Sequence, residues 1–140
     1  MSSTLATIEN SYAIGNVIAL NLNSQLGDLI VYKTGDSTTD SYSVGDVIAP
    51  VGSTSIGGLI GNSYGTSHTV MNSYSVNESG LVNNSNFNVF NSYYNSANTT
   101  VSLGNSLSLD DMKIQSNFVG FDFENTWIMG TSDYPYPILR

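Results

Sequence analysis

Few residues in this chain have the chemistry of a catalytic or metal site, and their spacing limits each of them. His68 is the only histidine. It lies in the polar run GTSHTVMNS, which predicts an exposed loop residue rather than a catalytic base. Serines are plentiful, yet no Gly-x-Ser-x-Gly elbow presents one as a nucleophile. A pair of carboxylates would suit glycoside cleavage, but Asp36, Asp40 and Asp46 fall near turns, where solvated corners are the simpler expectation. Calcium prefers Asp, Asn and carbonyl oxygens. GDSTTD at 35–40 is the best loop for it, with Asp36 and Asp40 as candidate ligands, although it follows neither an EF-hand nor the Gly- and Asp-rich nonapeptide pattern. Gly57 and Gly58 lack a following Lys-Ser or Lys-Thr, so they do not read as a phosphate cradle. Glycosylation acceptor patterns stand at Asn77, Asn83 and Asn98. The expectation is a chain with no catalytic residue and no cofactor; a structural calcium ion and a polysaccharide-active set of exposed carboxylates are the alternatives.

Charge narrows the partners. Lys33, Lys113 and Arg140 are the only basic side chains in 140 residues, against 11 acidic ones, for a net charge of −8. Nucleic acid and anionic membrane both need clustered Lys and Arg, so neither is expected. There is no cysteine, which excludes disulfides and thiolate metal sites. No run reaches the length of a membrane helix, and MSSTLATIENSY lacks the basic start and apolar stretch of a signal peptide. The repeated phrase begins within ten residues of Met1, which suggests part of something longer. One domain fits the length.

What must position any site is a repeat. ENSYAIGNVIA at 9–19 returns as TDSYSVGDVIA at 39–49 and, shortened, as MNSYSVNESG at 71–80. Tyr12, Tyr42 and Tyr74 are spaced by 30 and 32 residues, and Tyr93 in VFNSYYNSANT follows 19 later. A second phrase keeps the offset: LGDLIVYKTG at 26–35 aligns with IGGLIGNSYG at 56–65, and SGLVNNSNF at 79–87 is a shortened copy. A period near thirty means one supersecondary unit per repeat, stacked on its neighbours. The pieces are rich in Val, Ile, Tyr, Ser and Thr and bounded by Gly and Asn, which reads as short strands.

The expected fold is therefore all-β: a short parallel β-solenoid, or β-helix, of about three coils over residues 1–100. Equivalent side chains would stack as ladders about 4.8 Å apart. Tyr42 and Val44, with Tyr74 and Val76, are expected on an inward ladder, and Asn and Ser at the corners, where Asn tolerates left-handed backbone. A β-sandwich uses similar strands but has no reason to keep a thirty-residue register. Residues 101–140 read as a capping segment. SLSLDDMKIQ predicts one short helix with Ser108 at its start and acids near its positive end. The aromatic block after it, with Trp127 among Phe and Tyr, is expected to close the open end of the stack.

IGGLIGNSYGTSHTVMNSYSV at 56–76 resembles the GLUG repeat, with its Gly-Gly-Leu-Ile-Gly start (Gly57, Gly58, Leu59), polar spacer and Asn-Ser-Tyr. NSYYNS…LSLDDMK…SNFVGFDFENTWIM…YPYPIL is similar to the segment that commonly follows such repeats. LGDLIVYKTG departs from the pattern, with Asp28 and Val31 in place of glycines. The resemblance implies a non-enzymatic module of an adhesin-like, extracellular or cell-surface protein, serving as spacer, adhesion arm or assembly unit. Its implied partners are host-cell or matrix glycans or proteins, or neighbouring segments of the same parent protein, with self-association through the solenoid ends. A carbohydrate-binding or polysaccharide-cleaving module using exposed carboxylates is the alternative.

Overall fold

The computed structural model describes the backbone of residues 2–4 and all of residues 7–65, 68–83, 86–98 and 102–140. The regular structure of the described residues is mostly β with almost no helix, in short strands arranged chiefly as several small parallel sheets. One sheet runs Asn105–Leu107, Tyr93–Asn95, Tyr74–Ser75, Tyr42–Ser43, Tyr12–Ala13, parallel throughout, with Tyr12, Tyr42, Tyr74, Tyr93 and Asn105 in one register line. A second holds Phe87–Phe90, His68–Met71, Ser37–Thr39 and Ile8–Glu9, aligning Val89, Val70, Thr38 and Ile8. A third pairs Ser2–Thr4, Ile30–Thr34 and Ile60–Ser63. Gln25–Gly27 pairs with Ser55–Gly57, and Val17–Ile18 with Val47–Ile48, again in parallel. Among the described residues only Trp127–Met129 and Pro137–Leu139 pair antiparallel. Residues one repeat apart in sequence are thus hydrogen-bonded neighbours.

The corners explain why the phrase recurs. Asn10, Asp40, Asn72 and Asn91 each precede the Ser of a Ser-Tyr pair and each take left-handed backbone, with φ of 48, 45, 49 and 44°. Asn and Asp are the non-glycine residues that adopt it most readily. The serine that follows then joins two repeats. Its Oγ donates to the carbonyl two residues back, as Ser41 does to Thr39, Ser73 to Met71 and Ser92 to Phe90 (2.8–2.9 Å). The same Oγ accepts the backbone N–H of the serine one repeat earlier: Ser11 onto Ser41, Ser41 onto Ser73, Ser73 onto Ser92 (3.1–3.3 Å). Ser75, one position past Tyr74, is equally buried, yet its Oγ has no hydrogen-bond partner. Ser73→Ala is therefore expected to cost about 1–3 kcal/mol, because the Ser41 N–H is left buried and unpaired, whereas Ser75→Ala should cost nothing or stabilise slightly. Urea unfolding of the two variants checks the contrast.

Two apolar clusters form. Ile30, Leu59, Ile60, Val70, Leu81, Val82 and Phe87 make one. Tyr42, Tyr74 and Tyr93 do not enter it, contrary to the expected inward ladder. Tyr42, Tyr74 and Tyr93 pack instead with Met112, Phe118, Phe121 and Trp127 of the C-terminal block, with Val44 and Val76 at the rim. The physical reason is the hydroxyl, which needs a partner when buried. Tyr74 finds the Tyr134 hydroxyl at 2.8 Å and donates to the Pro137 carbonyl. Burial pushes the Tyr74 phenol well above its ordinary pKa.

The block's position differs too. It contacts the tyrosines of three successive strands, so it lies along the tyrosine face rather than across the end of the stack. The tyrosine sheet also continues past residue 100, with Asn105–Leu107 as its fifth strand. The expected helix is two 3₁₀ turns, Asp111–Lys113 and Gln115–Asn117, separated by an extended Ile114. The residue at the start of the first is Asp110 rather than the expected Ser108, whose Oγ nevertheless accepts the Asp111 N–H at 3.0 Å. Ser106 and Leu107 are held in the sheet, which leaves too few residues to offset helix nucleation.

Candidate functional site

The candidate site is the outer edge of the tyrosine sheet, where the stack of repeats meets the C-terminal block. Tyr12, Tyr42 and Tyr74 stack ring on ring, with centroids 5.2 and 5.3 Å apart and planes within 11° and 2°. Tyr74 is enclosed, whereas Tyr12 is 55% exposed with one face open. The block is aimed by Asp122. Its carboxylate accepts the N–H groups of Glu124 and Asn125, and its carbonyl those of Thr126 and Trp127. Hydrogen bonds from Asn125 hold the Asp122 carboxyl below its ordinary pKa. The turn delivers Trp127 onto Tyr42 and Tyr74, and the indole N–H donates to the Asp40 carboxylate at 3.0 Å. Arg140 is fixed beside it, donating to the carbonyls of Trp127 (3.1 Å) and Phe123 (2.9 Å). Between Tyr12 and this turn opens a cleft of about 520 Å³ lined by Asn10, Tyr12, Asn125, Thr126, Leu139 and Arg140.

A second cleft, of about 470 Å³, lies where Asp46, Val47 and Ile48 face Val76–Ser79, Asn95 and Leu109. Asp46 and Glu78 are its acids, both exposed. Asp36 and Asp40 do not join them. They sit at the two ends of the Ser37–Thr39 strand in left-handed backbone, and Asp40 is committed to Trp127. Among the described residues no group of three or more His, Asp or Glu side chains is placed to hold a metal ion.

His68 is not the exposed loop residue its neighbours suggested. It begins the His68–Met71 strand, is buried, and lies with Nδ1 2.9 Å from the Gly35 carbonyl oxygen and Nε2 3.3 Å from that of Tyr64. Both ring nitrogens therefore face backbone, not solvent. Asn77 is also buried, its amide donating to the Gly45 carbonyl at 3.0 Å, which encloses that acceptor pattern. Asn83 donates to the Thr54 carbonyl. Gly57, Gly58 and Leu59 are packed under the next repeat: Gly58 N–H donates to the Gly80 carbonyl and Leu59 N–H to that of Leu81. No helix of the described residues is long and apolar enough to cross a membrane.

Asp28 is the residue the repeat pattern made look anomalous. It stands one repeat before Gly58, and its carboxylate accepts the Gly45 N–H at 2.9 Å. Around Gly58 the corresponding space holds the Ser75 hydroxyl and the Asn77 amide. Asn77 occupies in its repeat the place of Gly45, so a side chain missing at one position is supplied at the other. Burial pushes the Asp28 carboxyl up to about 6 from 3.8, the Gly45 N–H opposing and the Asp46 charge adding. A carboxyl whose pKa is higher folded than unfolded gains a proton on folding. Its favourable share is complete below about pH 3.8 and is lost as pH rises through about 6. Asp28→Asn keeps an acceptor for Gly45 and cannot ionise. The variant should melt with the parent near pH 4 and above it at neutral pH, measured as the difference between their melting curves across that range.

Compared with known protein families, curated proteins and solved structures, the chain matches none.

Proposed function

We propose that the chain is a short parallel β-solenoid acting as a non-enzymatic repeat module of an extracellular or cell-surface, adhesin-like protein. The observation that carries this reading is the register line of Tyr12, Tyr42, Tyr74 and Tyr93. Repeats stacked this way give a stiff rod, and its exposed corners are free to meet a glycan or protein partner. The resemblance of the phrases to GLUG repeats supports the extracellular setting, and so does the small number of basic side chains.

The cleft holding Asp46 and Glu78 favours one second reading, a module that binds or cleaves polysaccharide with those carboxylates. One experiment separates the two. The purified chain is incubated with neutral and acidic polysaccharides, and both retention on the immobilised glycan and release of new chain ends are followed. Retention or inertness without new ends supports the non-enzymatic module. Release of ends that disappears in Asp46→Asn or Glu78→Gln overturns it.

A further inference from the structure

We infer that the edge formed by Ile8–Glu9, Tyr12–Ala13 and Val17–Ile18 is a docking site for a polypeptide segment carrying the same Ser-Tyr-x-x-Gly phrase, laid on it in parallel and in register. The inference rests on the stacked-repeat reading above and adds an occupant for one end of the stack.

Every device that joins one repeat to the next is present on this edge and unfilled on its outer side. Tyr42 and Val44 donate their N–H groups to the carbonyls of Ser11 and Ala13. By the same alternation the N–H groups of Tyr12 and Ile14 point off the edge. Ser11 Oγ donates to the Glu9 carbonyl at 2.8 Å as the later serines do. Those serines also accept an N–H from the preceding repeat, and among the described residues none fills that position at Ser11. Tyr12 presents a bare ring face, and the cleft beside it would seat one more ring between Tyr12 and Arg140, whose guanidinium can pair with an aromatic face.

Gly15 carries the argument furthest. Its equivalent, Gly45, must be glycine: a Cβ there would lie 2.0 Å from the Gly15 carbonyl oxygen of the adjoining repeat. Nothing lies within 4 Å of a Cβ built on Gly15, and its backbone is not in the left-handed region. Its want of a side chain is therefore unexplained by this chain alone and is what an overlying backbone would require. The edge also lacks the charges that usually keep exposed strands apart. Glu9 is the one charged residue between 7 and 27, and Ile14, Ile18, Leu20 and Leu22 are exposed.

The site has a limit. Val31 stands one repeat before Gly61, where a Cβ would fall 2.2 Å from the Leu26 carbonyl oxygen. A complete repeat would bring a carbonyl onto Val31, so the docked segment covers the side from Ile8 to Ile18 only. A second copy of this chain is the poorer occupant. Its Ser-Tyr phrases at 41, 73 and 92 are already paired on both sides, and its terminal strand carries Asn105 where a tyrosine would stack.

The test joins a copy of residues 37–49 ahead of the full chain through a flexible Gly/Ser linker matching residues 50–60, which makes docking intramolecular. Amide exchange at Tyr12 and Ile14 should slow about tenfold or more relative to the untethered chain, and the melting temperature should rise. Gly15→Val should abolish both effects in the tethered chain while leaving the untethered chain's melting unchanged. Unprotected Tyr12 and Ile14 amides in the tethered chain, or protection that survives Gly15→Val, would overturn the proposal. So would dimerisation of the untethered chain, seen by sedimentation and lost in Gly15→Val, which assigns the edge to a second copy. Gly45→Val in the untethered chain tests the stack itself. A loss of stability there, with no protection in the tethered chain, removes the docking site and keeps the stacked repeats; no loss removes the stacked repeats as well.

Discussion

Trp127→Ala is expected to lower unfolding free energy by about 3–5 kcal/mol, the usual range for deleting a large buried aromatic. Trp127 is fully buried, and its ring centroid lies 4.6 Å from that of Phe121, 5.9 Å from Tyr42 and 6.0 Å from Tyr74. The indole is also the contact that ties Asp40, in the second repeat, to a residue 87 positions away. Domains of this size have only about 5–15 kcal/mol in hand, so the variant should melt far below the parent. Trp127→Phe keeps much of the ring and loses the N–H, leaving the Asp40 carboxylate without it. Its cost should be smaller, about 1–3 kcal/mol. Denaturant unfolding followed by circular dichroism measures both. A Trp127→Ala protein as stable as the parent would mean that the block is not packed on the tyrosine face.

The second large effect is expected from adding a single methyl group. A Cβ on Gly58 would lie 2.1 Å from the Gly80 carbonyl oxygen, 2.2 Å from Ser75 Oγ and 2.4 Å from Asn77 Oδ1. The nearest of these is backbone already hydrogen-bonded to Gly58 N–H at 3.0 Å, so it cannot move without parting two repeats. Overpacking of this kind costs about 1–3 kcal/mol and at times more, and Gly58→Ala should fall at the upper end. Gly15→Ala, with open space around the added carbon, is the matched control and should stay within about 0.5 kcal/mol of the parent. Equal melting of the two variants would contradict the close approach at Gly58.

Much of the pairing scheme is legible in the sequence. The spacing of Tyr12, Tyr42 and Tyr74 told which residues would be neighbours, because parallel strands one repeat apart keep one register. The sequence also marked the corners, since an Asn or Asp ahead of each Ser-Tyr pair tolerates the backbone bend that ends one strand and begins the next. Val, Ile and Thr in short runs between such corners made β structure the expectation.

What the sequence could not carry was direction. A strand sends alternate side chains to opposite faces, and periodicity alone does not say which face meets the interior of the repeats and which meets the C-terminal block. Tyr42 and Val44 read as an inward ladder, yet the same spacing serves the opposite face as well. The choice was made by residues seventy to ninety positions later, Phe118, Phe121 and Trp127, which offer the rings an apolar cover and, through Tyr134 and Pro137, a partner for the Tyr74 hydroxyl. His68 departs from its exposed-loop expectation for the same reason: its loop-like neighbours are local, whereas the Gly35 carbonyl it meets is 33 residues away. Asp28 breaks the repeat in sequence, but in space its carboxylate meets the Gly45 N–H. Local chemistry and spacing determined which backbones adjoin; only the tertiary structure decided which side chains share a core, because that depends on what the distant end of the chain brings to the surface.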